Sequence, residues 1–243
     1  MTDRVAVVTG ASSGIGAATV RLLRAAQLDV YAGARRLDRL HAVCDPVGAH
    51  ALQLDVTQQA SVDAFVAALP SCAVLVNNAG GALGLNHVED ARDDEWRTMF
   101  ETNVLGLMRM TRALVPLLQR ADPGHIVNVV STAGLEVYPN GGGYTAAKHA
   151  AHAVTRTLRM ELLGRPVRVT EVDPGLVETE FSLVRLGDEA RARAVYEGMT
   201  PLTADDVADA ITWVVTRPKH VDIDQVVMRP LDQATSTMVH RRA

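Results

Sequence analysis

From Arg4 to Met228 the chain alternates short apolar runs with longer stretches of helical spacing, and this alternation restricts its fold more than any other feature. "RVAVVTG" precedes "SGIGAATVRLLRAAQ", "LDVYAGAR" precedes "LDRLHAVCD", and "AHALQLD" precedes "QASVDAFVAALP". "CAVLVNNAG" then leads into helical spacing over 93–120, whose internal boundary the pattern leaves open. Further strands are predicted at His125 to Val130, Val167 to Val172 and Ile223 to Met228, with helices from near Tyr144 and over Ala204 to Thr216. Parallel strands need a long crossover, usually a helix, so a β–α alternation of this kind builds a parallel sheet covered on both faces. The prediction is an α/β chain with seven parallel strands in one doubly wound domain spanning 1–243.

Two segments depart from the pattern. Residues 177–200 form an excursion expected to cover a site as a lid, and the polar tail at 232–243, ending "MVHRRA", is expected to fray or to reach a neighbouring subunit. No low-complexity linker or fixed repeat divides the chain. With 24 basic and 28 acidic residues the net charge is −4, which argues against a nucleic-acid partner. No apolar run is long enough for a membrane span. "MTDRVAVVTG" enters a strand pattern at once, which predicts no export signal and a cytoplasmic location. Cys44 and Cys72 form no metal pair, the eight histidines make no zinc motif, and no metal is expected.

"TGASSGIG", Thr9 to Gly16, lies where the first strand becomes the first helix. Gly10 suits a tight turn, Gly14 and Gly16 clear side chains from a close approach to diphosphate, and the helix start offers N–H groups to an anion. The spacing is GxxxGxG rather than GxGxxG, and a plain βα connection would also use glycines here. An acidic residue commonly ends the second strand where a ribose 2′-hydroxyl is bound; this strand ends in Ala34 followed by Arg35 and Arg36. Loss of the carboxylate and gain of guanidinium forks favour a 2′-phosphate, hence NADP(H) over NAD(H), with Arg35 ranked ahead of Arg36, which also reads as a solvated helix residue. Asp55 and Val56 end the third strand, where a carboxylate suits adenine. Asn78, Ala79 and Gly80 of "NNAG" end the fourth, and successive strand ends make a ligand crevice.

"STAGLEVYPNGGGYTAAK" raises the chemistry. Tyr144 and Lys148 are four apart, neighbours on one helix face, and an ammonium beside a phenol draws its pKa down toward neutrality. Ser131, just past the fifth strand, can hold a substrate oxygen beside Tyr144. A YxxxK pair alone also reads as a structural helix pair. Gly141 to Gly143 are expected to turn the backbone into that helix.

Together "TGASSGIG", "NNAG", Asn103 in "TNVLG", Ser131, "YTAAK" and "DPGLVETE" resemble the classical short-chain dehydrogenase/reductase family over nearly the whole chain. The resemblance implies a Rossmann-like domain, a homotetramer, and a catalytic group of Ser131, Tyr144 and Lys148, with Asn103 organising a proton-relay water. It extends the NADP(H) site to Ser12, Ser13 and Ile15 of the glycine turn, to Lys148 and Tyr144, and to Pro174, Gly175, Val177 and Thr179. Val130 stands where many members of the family have serine or glycine, which bears on pocket shape. The downstream "EFS", "VR", "VY", "PLT" and "HVDIDQVVMRP" are similar to a group of NADP-dependent enzymes acting on small 3-hydroxy acids.

A small hydroxy acid or its carbonyl partner needs a cation for its carboxylate, and Arg185 in the 177–200 segment is the candidate beside Ser131 and Tyr144. Arg185 also reads as a solvated lid residue. The competing functions are a broad carbonyl reductase and a noncatalytic NADP-binding protein. Leu105, Leu107, Leu114, Leu117 and Leu118 are expected to supply both core and subunit contacts.

Overall fold

In the computed structural model the apolar runs become seven parallel strands in the order β3-β2-β1-β4-β5-β6-β7. The structure describes residues 4–242, so Met1 to Asp3 and Ala243 of the expected domain lie outside it. The strands are β1 (Val5–Thr9), β2 (Asp29–Ala34), β3 (His50–Gln53), β4 (Val74–Asn77), β5 (Gly124–Val129), β6 (Val167–Pro174) and β7 (Gln225–Met228). The helices are α1 (Gly14–Ala25), α2 (Leu37–Cys44), α3 (Gln59–Ala67), α4 (Asp93–Phe100), α5 (Leu107–Leu118), α6 (Gly142–Glu161), α7 (Glu180–Leu186), α8 (Glu189–Ala194) and α9 (Ala204–Val215). The boundary left open within 93–120 is a π-helical segment, Glu101–Gly106, between α4 and α5.

Period-two alternation explains the two covered faces. Ala6, Val8, Val74, Val76, Val127 and Val129 point to one side, where α1 and α9 contribute Val20, Leu23, Val207 and Ile211. Val7, Leu75 and Ile126 point to the other, onto Phe65 of α3 and Met110, Leu114 and Leu118 of α5. Leu107, Leu114 and Leu118 are therefore core, and of the five leucines expected to serve a subunit face Leu105 is the exposed one.

Connections run outward from β1 in both directions, so the chain switches sides between β1 and β4 and a crevice opens above their carboxyl ends. The segment 177–200 lies beside that crevice as the short helices α7 and α8. The tail does not fray: through residue 242 it folds back on its own chain. Arg242 donates its N–H to Gly198 O (2.7 Å) and its guanidinium to Asp232, and Arg241 bonds the carbonyls of Val195 and Glu197.

Candidate active site

Thr9, the last residue of β1, ties the two sides of the crevice together. Its hydroxyl accepts the N–H groups of Asn78 and Ala79, both at 3.0 Å, while Asn78 Nδ2 donates to the carbonyls of Thr9 and Gly10. Gly10 adopts φ 66°, and a Cβ there would come within 2.8 Å of Ala79 Cα. Gly14, at φ 53°, opens α1 with no side-chain cap, leaving its first-turn N–H groups for an anion. Gly16 sits beneath the turn, where a Cβ would strike Gly10 O and Asn78 Nδ2. Gly10 and Gly16 thus let the turn pack against the end of β4, and the uncapped start of α1 beside them suits the diphosphate of a dinucleotide.

Ser12, Ser13, Gly14 and Ile15 line a cleft of about 600 Å³ that continues past Arg35 and Arg36, Asp55 and Val56, and Asn78, Ala79 and Gly80. Both arginines line the cleft, and Arg36 is tied to the glycine turn. Its Nε and Nη2 donate to Ser12 Oγ at 3.3 and 3.2 Å, and Nη2 also to Ser13 Oγ at 2.9 Å. Asp55 Oδ1 accepts the N–H (3.0 Å) and hydroxyl (2.7 Å) of Thr57, which orients the carboxylate.

Farther along, Ser131, Tyr144 and Lys148 meet at the same cleft, bordered by Pro174, Gly175, Val177 and Thr179. Ser131 is fixed from beneath by β6: its N–H donates to Asp173 Oδ1 (3.2 Å) and its hydroxyl to Pro174 O (3.3 Å). Lys148 donates to Val129 O at 3.1 Å, and its Nζ lies 5.8 Å from the centre of the Tyr144 ring. The three glycines before Tyr144 do not make the turn. Asn140 does, at φ 66°, whereas Gly141 and Gly143 clear space for Tyr138, Trp96 and Met99, whose side chains a Cβ would hit.

The expected lowering of the phenol is also absent. Burial pushes Tyr144 well above its ordinary value; Tyr138 adds to this, and the Ser131 hydroxyl and Arg185 offset only part of it. Burial likewise lowers Lys148 to about 8, against the pull of Asp173 and Glu171. Both side chains are over nine-tenths buried, so desolvation outweighs the neighbouring charges and hydrogen bonds that oppose it.

Asn103 is buried behind the cleft. Its Nδ2 donates to the carbonyls of Gly81 (2.9 Å) and Met99 (2.8 Å), and its Oδ1 accepts the Gly81 N–H (3.2 Å), so it braces the loop after β4. Arg185 reaches the cleft from α7, its Nε on Gly84 O (3.1 Å) and its Nη1 on the Tyr138 hydroxyl (3.0 Å). Val130, 2% exposed, borders the cleft and packs on Leu107 and Ala151. Tyr138 and Gln233 also border the cleft and Asp173 holds Ser131, three residues to which the sequence pattern assigns no role. Asp173 lay within a quoted motif, but its bond to Ser131 joins two strands and has no local signal. Gln233, whose Oε1 accepts the Leu176 N–H (2.8 Å), comes from a tail whose course is tertiary.

Among known proteins, the family model described as short chain dehydrogenase matches residues 4–189. An uncharacterized oxidoreductase of Mycobacterium tuberculosis is 59% identical over 96% of this chain and 94% of its own. An NADP-dependent 3-hydroxy acid dehydrogenase of Salmonella typhi is 42% identical over 98% of this chain and 99% of its own. Among solved structures, the closed form of serine dehydrogenase complexed with NADP+ superposes with a TM-score of 0.93 at 40% identity, covering 98% of this chain and 100% of that one.

Proposed function

This chain belongs to the short chain dehydrogenase family, and from that premise we propose that it interconverts small 3-hydroxy acids, such as serine or 3-hydroxypropionate, with their 3-oxo counterparts. It is an NADP-dependent oxidoreductase, as are its 3-hydroxy acid dehydrogenase relatives. The observation that carries the substrate class is Arg185: its guanidinium stands 5.5 Å from the Tyr144 ring centre, held by Gly84 and Tyr138. A guanidinium fixed beside the Tyr144 ring, on the wall of the cleft, suits a carboxylate.

The glycine turn, Arg35, Arg36 and Asp55 would hold the adenosine end of NADP(H), and Asn78 to Gly80, Tyr144, Lys148 and Pro174 to Thr179 the rest. The bound cofactor supplies or accepts the hydride. The side chains do the remaining work. Ser131 orients the substrate oxygen, Tyr144 donates a proton to it in reduction and takes one in oxidation, and Lys148 steadies the charge on the phenolic oxygen. Asn103 positions the Gly81 loop. Residues 177–200 act as the lid that carries Arg185, with the 232–242 tail securing it.

We read the protein as a cytoplasmic homotetramer. Phe100, Leu105, Met160 and Leu163 leave apolar surface on the α4–α6 side, and Cys44 and Cys72 are free and buried, as a reducing compartment allows. Light scattering at micromolar concentration tests the assembly; a monomeric mass refutes it.

The function is tested by NADPH oxidation with malonate semialdehyde against neutral aldehydes and ketones. Preference for the acid supports the proposal. Equal turnover of neutral carbonyls replaces it with a broad carbonyl reductase, and NADPH binding without turnover on the whole panel with a noncatalytic role.

A further inference from the structure

At the adenosine end of the cleft a carboxylate from the lid sits between two arginines. Glu180 is the first residue of α7, set there by Thr179, whose hydroxyl accepts the Phe181 N–H at 3.2 Å. Its Oε2 accepts from Arg36 Nη1 at 3.2 Å, and both of its oxygens accept from Arg39 Nη1, at 2.7 and 2.9 Å. Arg36 and Arg39 are three apart at the start of α2 and project to the same side. The remaining nitrogens of Arg36 are on the hydroxyls of Ser12 and Ser13 in the glycine turn. Two guanidinium groups and two hydroxyls converging beside one oxyanion form the coordination set that a phosphate monoester takes.

We propose that Glu180 competes with the cofactor's 2′-phosphate for Arg36 and Arg39, which makes it a determinant of cofactor selectivity at this site. The inference rests on assigning this end of the cleft to the 2′-phosphate and adds a residue that works against it. A phosphate dianion and a carboxylate repel one another when they share the same forks, so binding the phosphate loosens α7 from α2. A cofactor without that phosphate leaves the bridge in place. The affinity difference between the two cofactors is then smaller than the arginines alone would produce, and the same linkage lets departure of the phosphate re-fasten the lid. A simple surface ion pair, with side chains between 43% and 53% exposed, would stabilise the fold slightly and leave ligand selectivity alone.

Calorimetric titration separates these readings, using adenosine 2′,5′-bisphosphate and adenosine 5′-monophosphate, which differ only in the 2′-phosphate. Glu180→Gln keeps the size and one acceptor of the side chain but removes its charge. The variant is expected to bind the bisphosphate roughly tenfold more tightly than wild type at low ionic strength, with monophosphate affinity within about twofold. Unchanged or weaker bisphosphate binding by Glu180→Gln overturns the competition while leaving the arginine assignment standing. Wild-type protein that does not distinguish the two nucleotides overturns the arginine assignment itself, and the inference with it.

Discussion

Arg185 Cζ lies 5.5 Å from the centre of the Tyr144 ring, and Lys148 Nζ lies 5.8 Å from the same centre, so the phenol is flanked by two cations reaching it from different elements. One cation comes from the helix that carries the phenol itself, the other from α7. Lys148 is held by the Val129 carbonyl, and Arg185 by the Gly84 carbonyl and the Tyr138 hydroxyl.

Arg185→Met should therefore separate binding from chemistry. For a 3-oxo acid KM is expected to rise at least about tenfold, the loss of one charge-assisted pair, with turnover of neutral carbonyls little changed. Arg185→Lys keeps the charge without the fork and should fall between. Steady-state kinetics on both substrate types decides it, and a proportionate loss on neutral carbonyls would assign Arg185 to the lid's structure.

Tyr144→Phe preserves ring volume and removes the transferable proton. Turnover should drop by about 10²-fold or more, while directly measured NADPH affinity changes little. Lys148→Ala should impair both turnover and NADPH binding, if that side chain serves phenol and cofactor as proposed. A folded phenylalanine variant with near-wild-type turnover would sink the tyrosine mechanism.

The pH dependence follows from burial. Because burial raises Tyr144 well above its ordinary value, the phenol stays protonated through neutrality, as reduction requires. Alcohol oxidation needs the phenolate, so its rate should climb above pH 6, by up to about tenfold per unit where one deprotonation limits it, until Lys148 loses the charge that supports the phenolate. Reduction should hold steady until Lys148, lowered to about 8, begins to lose its charge. Initial rates in both directions from pH 6 upward check the signs, and an oxidation rate that falls before Lys148 loses its charge contradicts them.

At the other end of the cleft, Arg36→Ala should raise the NADPH dissociation constant about tenfold or more and leave that for NADH nearly unchanged, because only NADPH brings the extra phosphate. Arg35→Ala should act in the same direction. Fluorescence titration of each variant with both cofactors measures this, and equal changes for the two cofactors would remove both arginines from phosphate recognition.

Asp173 predicts a stability effect. Burial raises its carboxyl from 3.8 to about 7, with the neighbouring Glu171 adding to the rise. A folded-state value above the unfolded one contributes stability that is complete below about pH 4 and lost as pH rises through about 7. Asp173→Asn can still accept the Ser131 N–H without titrating, so the wild type should lose stability relative to the variant between those pH values. Asp173→Ala leaves that buried N–H unpaired, at a cost of about 1–3 kcal/mol. Urea unfolding across the range measures both, and parallel stability curves for wild type and Asp173→Asn would refute the titration.

Local chemistry made much of this molecule readable in advance. The β–α alternation dictates a parallel sheet because strand side chains repeat every two residues and crossover helices must cover both faces. Gly10 and Gly14 announced a turn that side chains cannot enter, and the four-residue spacing of Tyr144 and Lys148 placed them on one helix face. These signals depend on backbone conformation and short spacing, which a sequence carries directly.

What only the tertiary structure decided depends on groups brought together from afar. Asn140, rather than the glycines after it, turns the chain; the glycines answer to Tyr138, Trp96 and Met99, whose positions no local spacing reveals. The i, i+4 ammonium beside Tyr144 is visible in sequence, whereas the burial that raises the phenol is not. Arg36 meets the hydroxyls of Ser12 and Ser13, 24 and 23 positions away, and Glu180 across 144. The sequence alone determined the elements and the reaction's candidate groups. Folding decided which charges face one another and how much water they keep, and those two quantities set the strength of every electrostatic interaction in the site.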